Sequence, residues 1–125
     1  MIKVVNINSY QSVLDIVPQN DIFMSSMRTK VVYEEYIGRN NNGSLLMNPF
    51  HIGRNGNRIQ VIDLYKIYLR ERYINSEKFR IYLHTLAKIA DLGILILKCH
   101  CKPRACHGDF IKEVLENIIQ KGEWR

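Results

Sequence analysis

The chain lacks any apolar run long enough to cross a membrane, which argues against a spanning helix and a membrane partner. Its first residues, MIKVVNINSYQ, have no basic segment followed by a long apolar one, so a secretory signal is not expected. Cysteine is scarce and odd in number, three in 125 residues, and without export the thiols are expected to be reduced, with no disulfide framework. A domain of this length buries roughly two thirds of its unfolded surface and needs no such staples. These absences together lead to the expectation of one cytoplasmic domain spanning residues 1–125.

Recognisable nucleotide fingerprints are also missing. Gly53 and Gly56 precede a helical pattern, but neither G-x-G-x-x-G nor a Walker sequence occurs. No internal repeat, low-complexity tract or interdomain linker is visible, and no dense polybasic tract either. What the chain does have is a net charge of +6, from 18 Lys and Arg against 12 Asp and Glu. The basic residues are spread out, which is compatible with a solvated surface, yet the balance favours an anionic partner: a nucleotide, nucleic acid or an acidic protein. Abundant Ile, Asn and Lys fit an AT-rich genome.

Hydrophobic patterning gives an α/β reading. Residues Ile2 to Ile7 read as a strand, and Ser9 is placed to cap a short helix over Val13, Leu14, Ile16 and Val17 that Pro18 ends. Ile22 to Met24 and, more strongly, Lys30 to Ile37 have extended-chain character from their β-branched and aromatic residues. The segment from Gly38 to Asn57 is rich in turn residues. From Ile59 the period becomes helical, with Ile59, Ile62, Tyr65, Tyr68 and Leu69 predicted on one buried face. Ser76 is expected to cap a second helix whose stripe is Phe79, Leu83, Leu86, Ala87 and Ala90, stopped by Gly93. Ile94 to Leu97 then reads as a strand buried on both faces. A last helix from Gly108 to Ile119 is expected to bury Phe110, Ile111, Val114, Leu115, Ile118 and Ile119.

The densest chemistry lies between Leu92 and Phe110, LGILILKCHCKPRACHGDF, where the buried strand leads into all three cysteines and two of the four histidines. Cys99 and Cys101 fall at the carboxyl end of the strand; Cys106 and His107 fall at the start of the following helix. That junction is where open α/β sheets bind ligands, and a helix start favours anions and lowers a nearby thiol's pKa. Three readings of the site follow. Cys99, Cys101, Cys106 and His107 carry zinc-type donors, with His100 as a spare, although structural zinc ordinarily takes separated pairs of ligands. Cys106, flanked by His107 and near Lys102 and Arg104, has the setting of a catalytic thiol, while Asp109 adds negative charge in the first helical turn. In the third, Arg39 and Arg58 bind phosphate and Phe50 or Tyr36 stacks on a base, helped by Asn48 and Arg54 from the long loop and by Cys99, Cys101, Arg104, Cys106, His107, Gly108 and Asp109 from the cysteine segment. Packing alone also accounts for Cys99 and Phe50. His84 reads as packing or surface, and His51 has no assigned role.

The order of motifs, YIGR at Tyr36 to Arg39, NPF at Asn48 to Phe50, GRNGNR at Gly53 to Arg58 and CHCKPRACHGD at Cys99 to Asp109, resembles the family catalogued as domain of unknown function 4326, over about residues 31–119. Two positions depart from its usual pattern: Met47 stands where the family usually has Gly, and His100 where it usually has Trp. The resemblance implies a small α/β fold of bacteria and phages; the family's name assigns no activity.

The reading as a whole is a single Rossmann-like α/β domain with a mainly parallel sheet, helices on both faces and a site at the carboxyl ends of the strands. Its expected function is binding of a nucleotide or nucleotide-derived small anion, in a bacterium or phage-infected cell, as a protein that sequesters or processes a nucleotide signal. No cofactor is required. Alternatives are a zinc-supported module that binds nucleic acid or protein, and a cysteine-dependent enzyme acting on a nucleoside or nucleotide.

Overall fold

A computed structural model describes residues 1–10, 32–39 and 44–125. Three parallel strands form its sheet: β1 (Ile2–Asn6), β2 (Val32–Tyr36) and β3 (Ile94–Cys99), in the order β1-β3-β2. Three helices complete the described elements: α1 (Arg58–Asn75), α2 (Glu77–Leu92) and α3 (His107–Lys121). The helix expected over Val13 to Val17, the strand at Ile22 to Met24, and Lys30 and Val31 lie outside the described residues. No described helix is long and apolar enough to cross a membrane.

β3 is central because it can be buried on every side. Ile94, Leu95, Ile96 and Leu97 are each no more than 4% exposed, and removing four such side chains from water stabilises the sheet by about 2 kcal/mol apiece. Its neighbours align in register, Ile2 opposite Leu95 and Asn6 opposite Cys99 on one side, Val32 opposite Ile94 and Tyr36 opposite Lys98 on the other. Alternation then divides the core. Leu95, Leu97 and Cys99 join the large cluster formed with all three helices, whereas Ile94 and Ile96 pack with Val5 and Tyr10 on the opposite face. Among the described residues, therefore, the helices expected on both faces stand on one.

Local chemistry sets the helix ends. Asn57 caps α1 by accepting from Gln60 N–H, and the Gln60 side chain accepts from Asn57 N–H in return, a reciprocal capping box. A single residue joins α1 to α2: Ser76, whose N–H bonds back to Arg72 O while its hydroxyl accepts from Phe79 N–H. The stripe predicted for α2 is buried in full.

Two other helical faces are corrected. On α1 the buried residues are Val61, Tyr65, Leu69 and Tyr73; Ile59 is 69% exposed, and Ile62 and Tyr68 are only partly covered. Apolar residues lie all round this helix, with Leu64, Ile67 and Ile74 also exposed, so its periodicity does not single out one face. On α3, Ile119 is exposed and Phe110 half-buried. Ile119 follows Ile118 by about 100° of helical rotation, past the edge of the stripe that faces the core.

Candidate functional site

At the carboxyl ends of β2 and β3 the chain leaves the sheet twice, and the first turns of α1 and α3 come in beside those exits. Between them is a cleft of about 310 Å³. Its polar lining is Arg39, Asn48, His51, Arg58, His100 and His107; Phe50, Ile52, Val61, Ile62 and Ala105 supply apolar wall, and Gly38, Cys101 and Cys106 complete it. Among the described residues, no Asp or Glu lines this space. Residues of the Gly38–Asn57 segment and of the cysteine segment thus form two walls of one cleft.

Hydrogen bonds to backbone carbonyls hold the walls together. Arg39 donates from Nε to Asn48 O (3.1 Å) and from Nη2 to Phe50 O (2.7 Å), clamping the NPF segment. Arg58 donates from Nη1 to Ala105 O at 3.0 Å, tying the start of α1 to the loop before α3. The remaining N–H groups of both guanidiniums are not used in these bonds, so each arginine can shape the cleft and still meet a ligand. Asn48 is nearly buried and is committed at both ends, Nδ2 to Val61 O and Oδ1 from Phe50 N–H. It builds the loop. Phe50 lines the cleft and meets Tyr68 edge-on at 6.0 Å, which accounts for its anchoring role without removing it from the lining. Beneath the cysteine loop, Asn6 Nδ2 donates to Lys102 O at 2.7 Å and supports the loop from the end of β1.

The glycine of YIGR permits a close approach. A Cβ on Gly38 would stand 2.5 Å from the Tyr36 hydroxyl oxygen and 3.2 Å from His100 Cδ2, so only glycine lets Tyr36 and His100 meet there. The Tyr36 hydroxyl donates to Arg39 O at 2.9 Å and lies 2.7 Å from His100 Nε2. Tyr36 is therefore not part of the lining; it holds two residues that are.

His107 is buried and its Nε2 lies 2.7 Å from Ile37 O. A carbonyl only accepts, so Nε2 carries the proton. Burial lowers the imidazole pKa, outweighing the carbonyl bond that raises it. Its ring stands edge-on to Tyr65 at 5.0 Å, and Tyr65 in turn donates to Leu46 O. Both side chains thus pin the loop that follows β2. This engagement leaves Nε2 of His107 unavailable as a base.

The thiols divide. Cys99 is wholly buried and Cys106 nearly so, with their Sγ atoms 3.5 Å apart. Cys106 donates to Cys99, and this one bond favours a thiolate on Cys99 while it and burial disfavour one on Cys106. Burial and the donated bond both act against a thiolate at Cys106, opposing the effect of its place at the start of α3. Cys101 is half-buried and lines the cleft. Among the described residues no three Cys, His, Asp or Glu side chains are grouped to hold a metal ion, so the zinc-type donors Cys99, Cys101, Cys106 and His107 are not brought into one coordination set.

Four further candidates stand outside the lining. Arg54 and Arg104 are exposed beside the loops. Asp109 is paired with Lys102 Nζ at 2.5 Å and accepts from Cys106 N–H, bracing the start of α3. Gly108 is buried against the sheet, where a Cβ would be 2.8 Å from both Ile37 Cδ1 and Val4 Cγ1; its role is close helix-to-sheet packing. Conversely, the cleft includes His51 and Ile52, which no motif singled out, and Ala105 and Ile62. His51 and Ile52 were signalled only by adjacency to NPF, Ala105 by its place inside the cysteine motif, and Ile62 by the apolar period of α1.

No curated protein and no solved structure matches the chain. The family model described as Domain of unknown function (DUF4326) matches residues 24–117, which include both walls of the cleft, and the chain belongs to that family.

Proposed function

We propose that the cleft binds a nucleotide or a nucleotide-derived small anion. One observation carries the reading: among the described residues, two arginines and three histidines line the cleft and no carboxylate does, and Phe50 and further apolar residues supply a wall. Such a lining favours a molecule that is anionic at one end and flat and apolar at the other. The guanidiniums, already fixed by carbonyl bonds, meet phosphate oxygens with little further loss of side-chain freedom. The first turn of α3 adds its partial positive charge at the same end. The cleft's 310 Å³ is at the lower end of the range for small-molecule sites, which suits one nucleotide unit better than a dinucleotide.

Calorimetric titration with nucleoside monophosphates and with inorganic phosphate tests this. Arg58→Gln and Arg39→Gln are each expected to weaken phosphate-bearing ligands roughly 10- to 100-fold, the size of a lost charge-assisted hydrogen bond. Wild-type protein that binds none of these ligands at millimolar concentration would refute the proposal.

A further inference from the structure

We propose that His100 presents to the cleft a hydrogen-bond acceptor of fixed tautomer, and that it selects a phosphate monoester carrying an O–H or N–H donor, of nucleoside monophosphate size. This deepens the anion-binding reading above and rests on it. The argument begins with proton count. The Tyr36 hydroxyl lies within hydrogen-bond distance of both Arg39 O (2.9 Å) and His100 Nε2 (2.7 Å). A phenol has one proton to donate, and a backbone carbonyl can only accept. Both contacts are satisfied together in one arrangement: Tyr36 donates to Arg39 O, and His100 Nε2–H donates to the Tyr36 oxygen. A neutral imidazole with its proton on Nε2 carries its lone pair on Nδ1.

Packing fixes the ring as well as the tautomer. His100 stands edge-on to Tyr36, with centroids 5.6 Å apart and planes at 78°, and its Cδ2 faces Gly38 closely enough that an added Cβ would be 3.2 Å away. Nδ1 is on the opposite edge of the ring from these contacts. His100 itself is exposed and lines the cleft.

His51 and His107 also line the cleft and carry imidazole lone pairs, but His107 is buried and, among the described residues, no side-chain hydrogen bond fixes the His51 ring, so His100 is the exposed imidazole whose acceptor nitrogen is set by a partner. Arg39 and Arg58 offer donors alone. Both ends of the Asn48 amide are committed to Phe50 N–H and Val61 O, and His107 Nε2 to Ile37 O. A fully deprotonated anion such as sulfate gains nothing from Nδ1 of His100, whereas a molecule with both an anionic group and a neighbouring donor uses the arginines and the histidine together. A ribose hydroxyl or a base amino group supplies that donor. Tyr36 is a positioning residue: it touches no ligand and sets which nitrogen His100 presents.

The test combines titration with NMR. Wild type, His100→Phe and Tyr36→Phe are titrated calorimetrically with inorganic sulfate, a tetrahedral anion with no O–H, and with ribonucleoside 5′-monophosphates, and the histidine tautomers are read from long-range ¹H–¹⁵N correlations. Wild type is expected to bind at least one nucleotide more tightly than sulfate. His100→Phe is expected to weaken that nucleotide about tenfold, the scale of one net hydrogen bond, while sulfate changes by less than about twofold. The spectra are expected to show His100 protonated on Nε2 in wild type, with the other tautomer emerging in Tyr36→Phe. Equal weakening of sulfate and nucleotide, an unchanged nucleotide affinity, or an Nδ1-protonated His100 in wild type would overturn the inference. Nucleotides binding no more tightly than sulfate would overturn it too and leave the anion site standing; loss of both ligands in wild type would remove the underlying reading itself.

Discussion

Gly108→Ala is the substitution that most directly separates a packing role from a ligand-binding one at the start of α3. An alanine there gains up to about 1 kcal/mol of helix propensity, less so close to the helix start. Against that, its methyl carbon would lie 2.8 Å from Ile37 Cδ1, 2.8 Å from Val4 Cγ1 and 3.2 Å from Cys106 Sγ. The first two neighbours belong to a buried sheet-to-helix contact, with Ile37 wholly inaccessible, so α3 must move away or both side chains must leave their rotamers. Overpacking of this kind destabilises by about 1–3 kcal/mol. The net expectation is a loss of about 1–2 kcal/mol, or a fall of roughly 4–8 °C in Tm for a domain of this size. Because Gly108 does not line the cleft, ligand affinity measured well below Tm should fall less than it does for Arg58→Gln. The assay is thermal unfolding by circular dichroism beside calorimetric titration. An unchanged or raised Tm would refute the packing argument, and an unchanged Tm with lost phosphate binding would return Gly108 to the ligand site.

Asn48→Ala removes the acceptor of Phe50 N–H and the donor to Val61 O; it is expected to lower stability by about 2 kcal/mol, read as a smaller urea midpoint at unchanged slope. Thiol alkylation mapped by mass spectrometry under native conditions should label Cys101 first, with Cys99 and Cys106 protected until the protein unfolds; early labelling of Cys106 would contradict its burial and its raised pKa. His107 has a folded pKa below its ordinary 6.5, so the unfolded chain binds the proton more readily. Stability is accordingly expected to be fully present above about pH 6.5 and to fall as pH drops through that value, by at most about 1.4 kcal/mol per pH unit from this group. His107→Gln, which keeps a donor for Ile37 O, should flatten the pH dependence of the urea midpoint over that window, and identical slopes would reject the assignment.

Local pattern was sufficient wherever one element's own residues decide its state. The α2 stripe from Phe79 to Ala90, the Ser76 cap, and the run Ile94 to Leu97 were legible because periodicity, capping and uninterrupted apolarity are properties of neighbours in the chain. The general place of the cleft was legible for the same reason, since a buried strand running into a helix start leaves its carboxyl end as the open corner of an α/β fold. Tertiary structure decided the rest. Which face of α1 is buried depends on how the helix docks, because apolar residues surround it. The pairing of Tyr36 with His100 spans 64 residues, and the bond of Arg58 to Ala105 spans 47; no spacing rule reaches that far. The same docking turned Gly108 from a candidate for ligand contact into a packing residue, buried Cys106 against Cys99, and set His107 against a carbonyl of the β2 exit. Sequence by itself determined which groups are available at the strand ends, while the long-range contacts that the sheet order imposes decided which of them remain open to a ligand.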